Sequence, residues 1–491
     1  MHLGPGKMPD GSWYKIEDFR WDAEFAKFLD KVNANGMGKT DLVLLGDSVE
    51  LWQSIVSDCI YSKRDLGCSE ADALTRLNRI LSAHNSTLQQ IGRFADDGDN
   101  RVYIVPGNHD AALLFPRLSG ALLAAIGSRK TSRVVFKADG RWVSADSLIL
   151  ADHGHQIGKE VNRFDAWPVP FIVEKKIRYL QRVWGEQFVQ KYYNAYEEEY
   201  PIIDNILDEG VGIRYAMKEK GTIKSTESVA RFVGFMVSKL SWAQFGGLLG
   251  EDGKPTDWDV RAERDGGSQF FLDSLPPDDP ARQEIESQIR AGSLKISDLS
   301  DDEIRAICDG RAALGAPLSP GEKRLVPAPR QCAVKTLGAI GQALLGKGRQ
   351  ALIAAYVRDV SERLKGAVSP PRFALFVYGH THSAVSGFDV GREDGLDWRM
   401  RVLNTGAWQR VISAADIEKF RCGRPERDII KLEPDALPAW YTAVVVKPYS
   451  QKPDARLKYW VRQSTGEWDF ADAPPPLPEC ATPTTTPTPA M

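Results

Sequence analysis

The chain has 491 residues, of which 43% are hydrophobic and 26% are charged, and its formal net charge is −3. This composition is typical of a globular protein of about two to four domains, and so small a net charge is not that of a general polyanion-binding protein. No segment reaches the roughly 18 uninterrupted apolar residues of a membrane-spanning helix, and no N-terminal stretch is of the signal-peptide type.

Six cysteines lie far apart in the sequence, and none forms a Cys-x-x-Cys pair. This spacing resembles neither a disulfide-rich secreted scaffold nor a zinc site. Together with the lack of a predicted membrane segment, it predicts reduced thiols and a cytoplasmic location.

The first region, 1–160, alternates short apolar runs with helical patterns. The segment EDFRWDAEFAKFLDKV predicts an amphipathic helix that leads into a strand at DLVLLGD, and the runs RVYIV and SLILAD predict further strands. This alternation predicts an α/β fold. His84 lies in a helical pattern and belongs to no motif, so we expect it on the surface of a helix.

The second region, 161–370, has the pattern of a mostly helical insertion. Apolar residues there recur at a spacing of three to four, namely Val173, Ile177, Leu180, Trp184, Phe188, Tyr192 and Tyr196. Such spacing predicts one buried helical face. Strand patterns return in the third region, 371–470, and the last segment, 471–491, is rich in proline and threonine, which predicts a disordered tail.

Polar residues follow four of the predicted strands at the point where each strand ends. They are Asp47 after LVLLG, Asn108, His109 and Asp110 after VYIVPG, His153 and His155 after LILAD, and His380 and His382 after ALFVYG. In open α/β sheets, ligands bind beyond the carboxyl ends of the strands. Because five of the seven histidines lie at these ends, the sequence predicts one shared crevice.

Four short motifs, GDSVELW, GNHD, HGH and GHTH, stand in this order behind the apolar strands. Together they resemble the calcineurin-like metallophosphoesterase superfamily. The resemblance covers the two α/β regions. It implies a sandwich of two β-sheets flanked by helices, here with a large helical insertion, and the hydrolysis of a phosphate mono- or diester by a metal-bridging hydroxide.

The same family carries an earlier motif, Asp-x-His, that often continues Leu-Gly. The chain starts Met1-His2-Leu3-Gly4 and therefore matches this motif from its second position, so the aspartate would stand before Met1. The resemblance implies that His2 is a metal ligand. It also leaves open a catalytically weakened scaffold that lacks this aspartate and the first strand.

By this resemblance, two divalent transition-metal ions share Asp47 as a bridging ligand. Asn108, His153 and His380 complete the second metal position, and His2 and His382 contribute to the first. Mixed nitrogen and oxygen ligands suit Mn, Fe, Zn, Co or Ni, and we favour Mn.

The remaining candidate residues are assigned to catalysis and to substrate binding. His109 resembles the family's catalytic histidine, and Asp110 is expected to orient its ring. His155, Lys159 and Arg163 follow the HGH motif and are candidates for contact with the substrate.

Features of the motifs distinguish between branches of the superfamily. GDSVELW resembles the UDP-2,3-diacylglucosamine hydrolases, but those enzymes are shorter and carry arginine in place of His109. The motifs differ from the GDxVDRG and GNHE patterns of protein Ser/Thr phosphatases. An Mre-type DNA or RNA nuclease stays open as an alternative, although the chain is not basic, so a nucleic-acid partner is not favoured.

Overall fold

A computed structural model describes residues 1–53, 66–157, 162–183, 185–186, 189–190, 194–207, 347–364, 370–421, 429, 431–474 and 477. These residues form a mixed α/β structure, as predicted. The helices are α1 Asp22–Gly36, α2 Glu70–Ala83, α3 Asn85–Asp96, α4 Pro116–Ile126, α5 Asn194–Glu199, α6 Lys347–Arg363 and α7 Ala414–Arg421. The strands of the first region are β1 Asp41–Leu45, β2 Leu66–Ser69, β3 Arg101–Val105, β4 Val134–Phe136, β5 Arg141–Val143 and β6 Ile149–Asp152. The later strands are β7 Phe171–Glu174, β8 Ile177–Gln181, β9 Leu375–Tyr378, β10 Val385–Val390, β11 Met400–Asn404, β12 Tyr441–Lys447, β13 Asp454–Arg462 and β14 Trp468–Ala471.

The described strands form four sheets. The first sheet has the order β1-β3-β4 and is parallel throughout. The central sheet has the order β10-β11-β9-β6-β5, in which β11, β9 and β6 are parallel and the two edge strands are antiparallel. Strands β12-β13-β14 and β2-β8-β7 form two antiparallel sheets. The parallel strands of the first two sheets supply the strand ends that carry the predicted site residues.

Helix α1 and strand β1 confirm the first predicted helix and strand. Phe25, Phe28 and Leu29 are the buried residues of α1, and their spacing places them on one face of the helix. The helix ends at Met37, which adopts a left-handed conformation with φ 50°. Residues of α1 to α4 share one hydrophobic cluster with Leu44 and Val102 of the first sheet, so these helices cover that sheet.

The central sheet is buried on both faces. On one face, Phe376 and Val402 belong to a cluster with Val357 of α6. On the other face, the neighbouring residues Val377 and Leu403 pack with Ala455 of β13. Because successive residues of a strand point to opposite faces, these two clusters fix β9 and β11 in the middle of a layered structure.

The predicted helix over 173–196 is wrong in its first part, where the chain forms the β7–β8 hairpin. The two residues at its turn, Lys175 and Lys176, both have positive φ, at 49° and 67°, as a two-residue type I′ turn requires. Val173 and Ile177 are 70% and 49% exposed, so the three-to-four spacing does not mark a buried face. Residues 208–346, most of the predicted helical insertion, lie outside the described part, as does most of the predicted tail.

His84 is not on the surface. It lies between α2 and α3, is 5% exposed, and its Nε2 is 3.3 Å from Oε2 of the buried Glu17. The prediction failed because a helical pattern does not reveal that two helices meet at this position. The carboxylate of Glu17 also accepts hydrogen bonds from the backbone N–H groups of Gly4 and Gly6, so His84 helps to hold the N-terminal segment.

The expectation that all six cysteines are reduced is wrong for Cys68, which is disulfide-bonded, and its partner lies outside the described residues. Disulfide formation depends on proximity in the fold, which cysteine spacing alone does not reveal. Of the helices that the structure describes, none is both long enough and apolar enough to span a membrane.

Candidate metal centre

The predicted site residues meet where the first sheet faces the central sheet. Asp47 follows β1, Asn108 follows β3, His153 follows β6, and His380 follows β9. The Nδ1–H of His153 donates a hydrogen bond to the carbonyl of Leu45 at 2.9 Å, which joins the end of β6 to the end of β1. The carboxyl ends of strands in two separate sheets therefore contribute to one site.

On one side of the site, His153 faces oxygen atoms. Its Nδ1–H is used by the Leu45 carbonyl, so Nε2 is the ring nitrogen that faces the site, and it carries a lone pair whenever the ring is neutral. This Nε2 lies 2.9 Å from Oδ2 of Asp47 and 3.0 Å from Oδ1 of Asn108. Such a convergence of lone pairs is stable only with a proton or a metal ion among them, and nitrogen and oxygen donors of this kind suit a transition-metal ion.

A similar arrangement recurs at His2, the second histidine near Oδ2 of Asp47. The Nδ1–H of His2 donates to Oε2 of Glu50 at 2.9 Å, and Nε2 of His2 lies 3.0 Å from Nε2 of His382. It also lies 4.0 Å from Oδ2 of Asp47. Since Oδ2 of Asp47 is near both His153 and His2, it occupies the position between two sets of nitrogen donors.

Ligand atoms of Asp47, His153 and His380 lie within 4.8 Å of one another. The rings of His153 and His380 are 5.1 Å apart between centroids, and those of His2 and His382 are 4.7 Å apart. The structure thus brings together the whole predicted ligand set, namely His2, Asp47, Asn108, His153, His380 and His382. The donor types and their convergence fit two metal ions.

Glu50 is a central residue of the site to which the sequence analysis gave no role. It is 1% exposed, and its Oε2 accepts hydrogen bonds from Nδ1–H of His2 at 2.9 Å and of His109 at 2.6 Å. Burial opposes its ionisation, but the charges and hydrogen bonds of these two histidines hold its pKa below the ordinary value. The sequence contained one sign of this role, because Glu50 is a carboxylate flanked by the apolar residues Val49, Leu51 and Trp52.

His109 is held by Glu50 on one side and by an aromatic ring on its face. Its ring is stacked on Trp52 at a centroid distance of 4.0 Å and an interplanar angle of 25°. Its side chain is 19% exposed, whereas those of His2, Asp47 and His153 are 4% exposed or less. Burial lowers the pKa of His109, but Glu50 and Asp47 outweigh this effect and raise the pKa to about 10.

The two histidines of GHTH are kept neutral. Burial, followed by the charge of His153, lowers the pKa of His380 to about 3. Burial and His2 lower the pKa of His382 well below its ordinary value. Neutral imidazole is the form that binds a metal ion. Burial raises the pKa of Asp47, but His153 and His109 outweigh it and bring the pKa well below the ordinary value, so this carboxylate is charged.

The backbone of the site is strained. Among the described residues other than glycine, eight have positive φ, and half of these belong to the site: His2 at 55°, Asp47 at 46°, His380 at 71° and His382 at 54°. Such conformations persist where the surroundings impose them, and they cluster at functional sites.

Glycines of the motifs allow a close approach of the site loops. A Cβ atom at Gly107 would lie 2.2 Å from Oδ1 of Asp47, and one at Gly46 would lie 2.1 Å from Nδ1 of His153. The glycines of GD and GNHD are therefore required by the packing of the site.

The predicted contact between Asp110 and His109 is not formed, and Glu50 makes that contact instead. The Asp110 carboxylate accepts hydrogen bonds from the backbone N–H groups of Ser48 at 2.7 Å and Gly107 at 2.6 Å. The side chains of His109 and Asp110 point in different directions, because the chain turns into a short 3-10 helix after Asp110. Asp110 thus ties the loops after β1 and β3 together.

Of the three candidates for substrate contact, His155 lies beside His153, at 5.4 Å between ring centroids, but its burial separates it from solvent. His155 is 2% exposed and packs edge-on against Trp167 at 4.3 Å between ring centroids. Burial lowers its pKa well below the ordinary value. Arg163 is exposed, and Lys159 lies outside the described residues. Asn162, which the sequence analysis did not single out, approaches His380, with Nδ2 at 3.5 Å from Nε2.

No protein-family model, curated protein or solved structure matches this chain. The chemistry of the site is therefore interpreted from its own geometry.

Proposed function

We propose that this chain is a metal-dependent phosphoesterase that hydrolyses phosphate mono- or diesters at the candidate metal centre. One observation carries the proposal: Nε2 of His153 and Nε2 of His2, each with its Nδ1–H already used, both approach Oδ2 of Asp47, at 2.9 Å and 4.0 Å. This is a donor arrangement for two cations that share one carboxylate.

The ligand side chains divide into two sets around Asp47. Asn108, His153 and His380 would hold one ion, and His2 and His382 would hold the other, with manganese favoured. Two such ions neutralise the charge of a phosphate ester, align its reacting oxygens and lower the pKa of bound water. The glutamate behind His2 fixes the tautomer of that ring, as carboxylates behind metal-binding histidines commonly do.

His109 is the residue that we assign to protonation of the leaving oxygen. Glu50 accepts its Nδ1–H, and Trp52 covers one face of its ring, so Nε2 is the ring nitrogen left for the substrate. Its partial exposure leaves it accessible to a substrate that enters from solvent. Proton transfer by such a placed histidine contributes about 10²- to 10⁴-fold to the rate.

The layout of the sheets supports the same proposal. The first sheet is covered by α1 to α4, the central sheet by α6, and their parallel strands end at the site. Sheets flanked by helices, with the ligands at the strand ends, are what the resemblance to calcineurin-like metallophosphoesterases implies.

The first test combines metal analysis with hydrolysis of p-nitrophenyl phosphate and bis-p-nitrophenyl phosphate. Asp47→Asn is expected to lose bound manganese and at least 100-fold in rate, because both ions lose a ligand. His109→Ala is expected to keep its metal and to lose about 10²- to 10⁴-fold in rate. Asp99→Asn is the control, since it neutralises an exposed aspartate that pairs with Arg133 outside the site.

Unchanged metal content and unchanged hydrolysis in both Asp47→Asn and His109→Ala would contradict the proposal. The ratio of the rates on the two substrates distinguishes a monoesterase from a diesterase.

A further inference from the structure

A second cluster of acidic side chains, Asp18, Glu197 and Asp204, shares no residue with the histidine-rich groups. Their ligand atoms are within 4.8 Å of one another. Asp18 precedes α1 and is 1% exposed, Glu197 lies on α5 and is 0% exposed, and Asp204 lies in the turns after α5. Three separate segments of the chain thus bring carboxylates together, and two of these, Asp18 and Glu197, are buried. We call this group the acidic cluster.

Several oxygen atoms of this region lack a hydrogen-bond donor. Oδ2 of Asp18 and Oε1 of Glu197 are buried and have no hydrogen-bond partner among the described residues. Buried polar atoms in proteins are almost always paired, so these oxygens indicate a missing partner.

Gln53 is an independent sign of a ligand. It is 3% exposed, and its Nε2–H donates to Oε2 of Glu197 at 2.8 Å, so its amide group is directed at the acidic cluster. Its Oε1 is buried and has no partner in the described part of the chain. An amide oxygen is a neutral ligand of the kind that accompanies carboxylates around hard cations.

The cation nearest to Asp18 in the sequence forms its ion pairs with other carboxylates. The guanidinium of Arg20, two residues after Asp18, binds Glu433 at 2.9 Å and Asp435 at 3.3 Å instead. Burial, together with the neighbouring carboxylates, raises the pKa of Asp18 and of Glu197 well above their ordinary values. Keeping these two carboxylates ionised therefore costs free energy, and a bound cation would offset that cost.

We propose that the acidic cluster and Gln53 bind one calcium ion, at a site separate from the histidine-rich metal centre. All of the ligand atoms are oxygens, which suit a hard cation rather than a transition metal. Magnesium usually keeps several of its waters, whereas calcium accepts carboxylates and amide carbonyls in an all-protein cage. The burial of Asp18, Glu197 and Gln53 therefore favours calcium.

The ion would also stabilise the loop that carries Glu50. The backbone N–H of Gln53 donates to Oε1 of Glu50 at 3.2 Å, and its side chain binds Glu197. Gln53 thus connects the acidic cluster with the carboxylate that orients His2 and His109.

The test is a calcium titration of the full chain, loaded with manganese and freed of calcium, by isothermal titration calorimetry. We expect one Ca²⁺ per chain, weaker binding of Mg²⁺, and a higher Tm with Ca²⁺. Asp18→Asn and Glu197→Gln, which keep the side-chain shape, are expected to weaken Ca²⁺ binding at least tenfold. Glu186→Gln is the matched control, because Glu186 is also a buried glutamate and is bonded to Gln190 instead.

Manganese content separates this site from the metal centre. Glu197→Gln should keep its manganese, and Asp47→Asn should keep its calcium, so the result does not depend on whether the chain hydrolyses phosphate esters. Circular dichroism and the Tm in calcium-free buffer show whether the variants fold. The absence of Ca²⁺ binding in the wild-type chain would overturn the proposal, as would equal Ca²⁺ affinity in folded Glu197→Gln and the wild-type chain.

Discussion

One carboxylate oxygen of Glu50 accepts hydrogen bonds from two imidazole rings, those of His2 and His109. Both histidines can be predicted from the sequence because each stands in a motif, whereas the motif suggested Asp110 for the orienting contact. Adjacency in sequence was the reason for that assignment, and it fails because the orienting carboxylate comes from a different loop. Ligands at strand ends can thus be predicted from the sequence, whereas the contacts between loops that orient them cannot.

Glu50→Gln tests the role of this carboxylate. The amide keeps the size of the side chain but can accept less strongly from the two Nδ1–H groups, and it removes the negative charge. Loss of such an orienting partner typically costs about 10- to 100-fold in metal affinity or activity. We expect a loss of this size in manganese affinity and in the hydrolysis rate, measured by metal titration and with p-nitrophenyl phosphate.

Glu186→Gln is the control for Glu50→Gln, since it also neutralises a buried glutamate. If the two variants had the same metal affinity and rate, Glu50 would have only a structural role.

At the scale of elements, the strands that end at the site were predicted and the β7–β8 hairpin was not. The site strands are short apolar runs that have glycine, proline or aspartate at or just after their ends, which is a strong strand signal. Over 171–181, apolar residues happen to recur at helical spacing, and two lysines occupy a turn that usually contains asparagine and glycine. The turn sequence therefore gave no sign of a hairpin.

Replacement of Lys175-Lys176 by Asn-Gly tests the hairpin. Both lysines have left-handed φ, which costs roughly 1–2 kcal/mol for an ordinary residue and much less for asparagine or glycine. We expect Asn-Gly to raise the free energy of unfolding by about 1 kcal/mol, measured by denaturant unfolding.

Ala-Ala at the same two positions removes the same charges but keeps the backbone strain, so it should give no such gain. If this segment formed a helix, Asn-Gly would lower the stability and Ala-Ala would raise it. That result would contradict the hairpin.

At the scale of the whole molecule, the site depends on the relative placement of the first sheet and the central sheet. The first sheet and the central sheet have no strand pairing in common among the described residues. The strand order β10-β11-β9-β6-β5 joins segments that are more than 200 residues apart, such as β6 and β9. No local pattern encodes such pairing, so the sequence predicted that the strand ends gather but not which sheet supplies each ligand.

This placement predicts that metal removal destabilises the fold as well as the activity. Ligands from the first sheet, the central sheet and the N-terminal segment converge on Asp47, so bound ions would link these three parts. An ion that binds only the folded state adds about 2.7 kcal/mol when its free concentration is 100 times Kd. With calcium already removed from the manganese-loaded chain, EDTA should therefore lower the Tm of the wild-type protein, and added manganese should restore it. Asp47→Asn, which has lost the shared ligand, should show a small response to either treatment, whereas Asp99→Asn, at an exposed aspartate that pairs with Arg133, should respond as the wild-type chain does. An unchanged wild-type Tm after verified removal of all metal would show that the two sheets are held together without the ions.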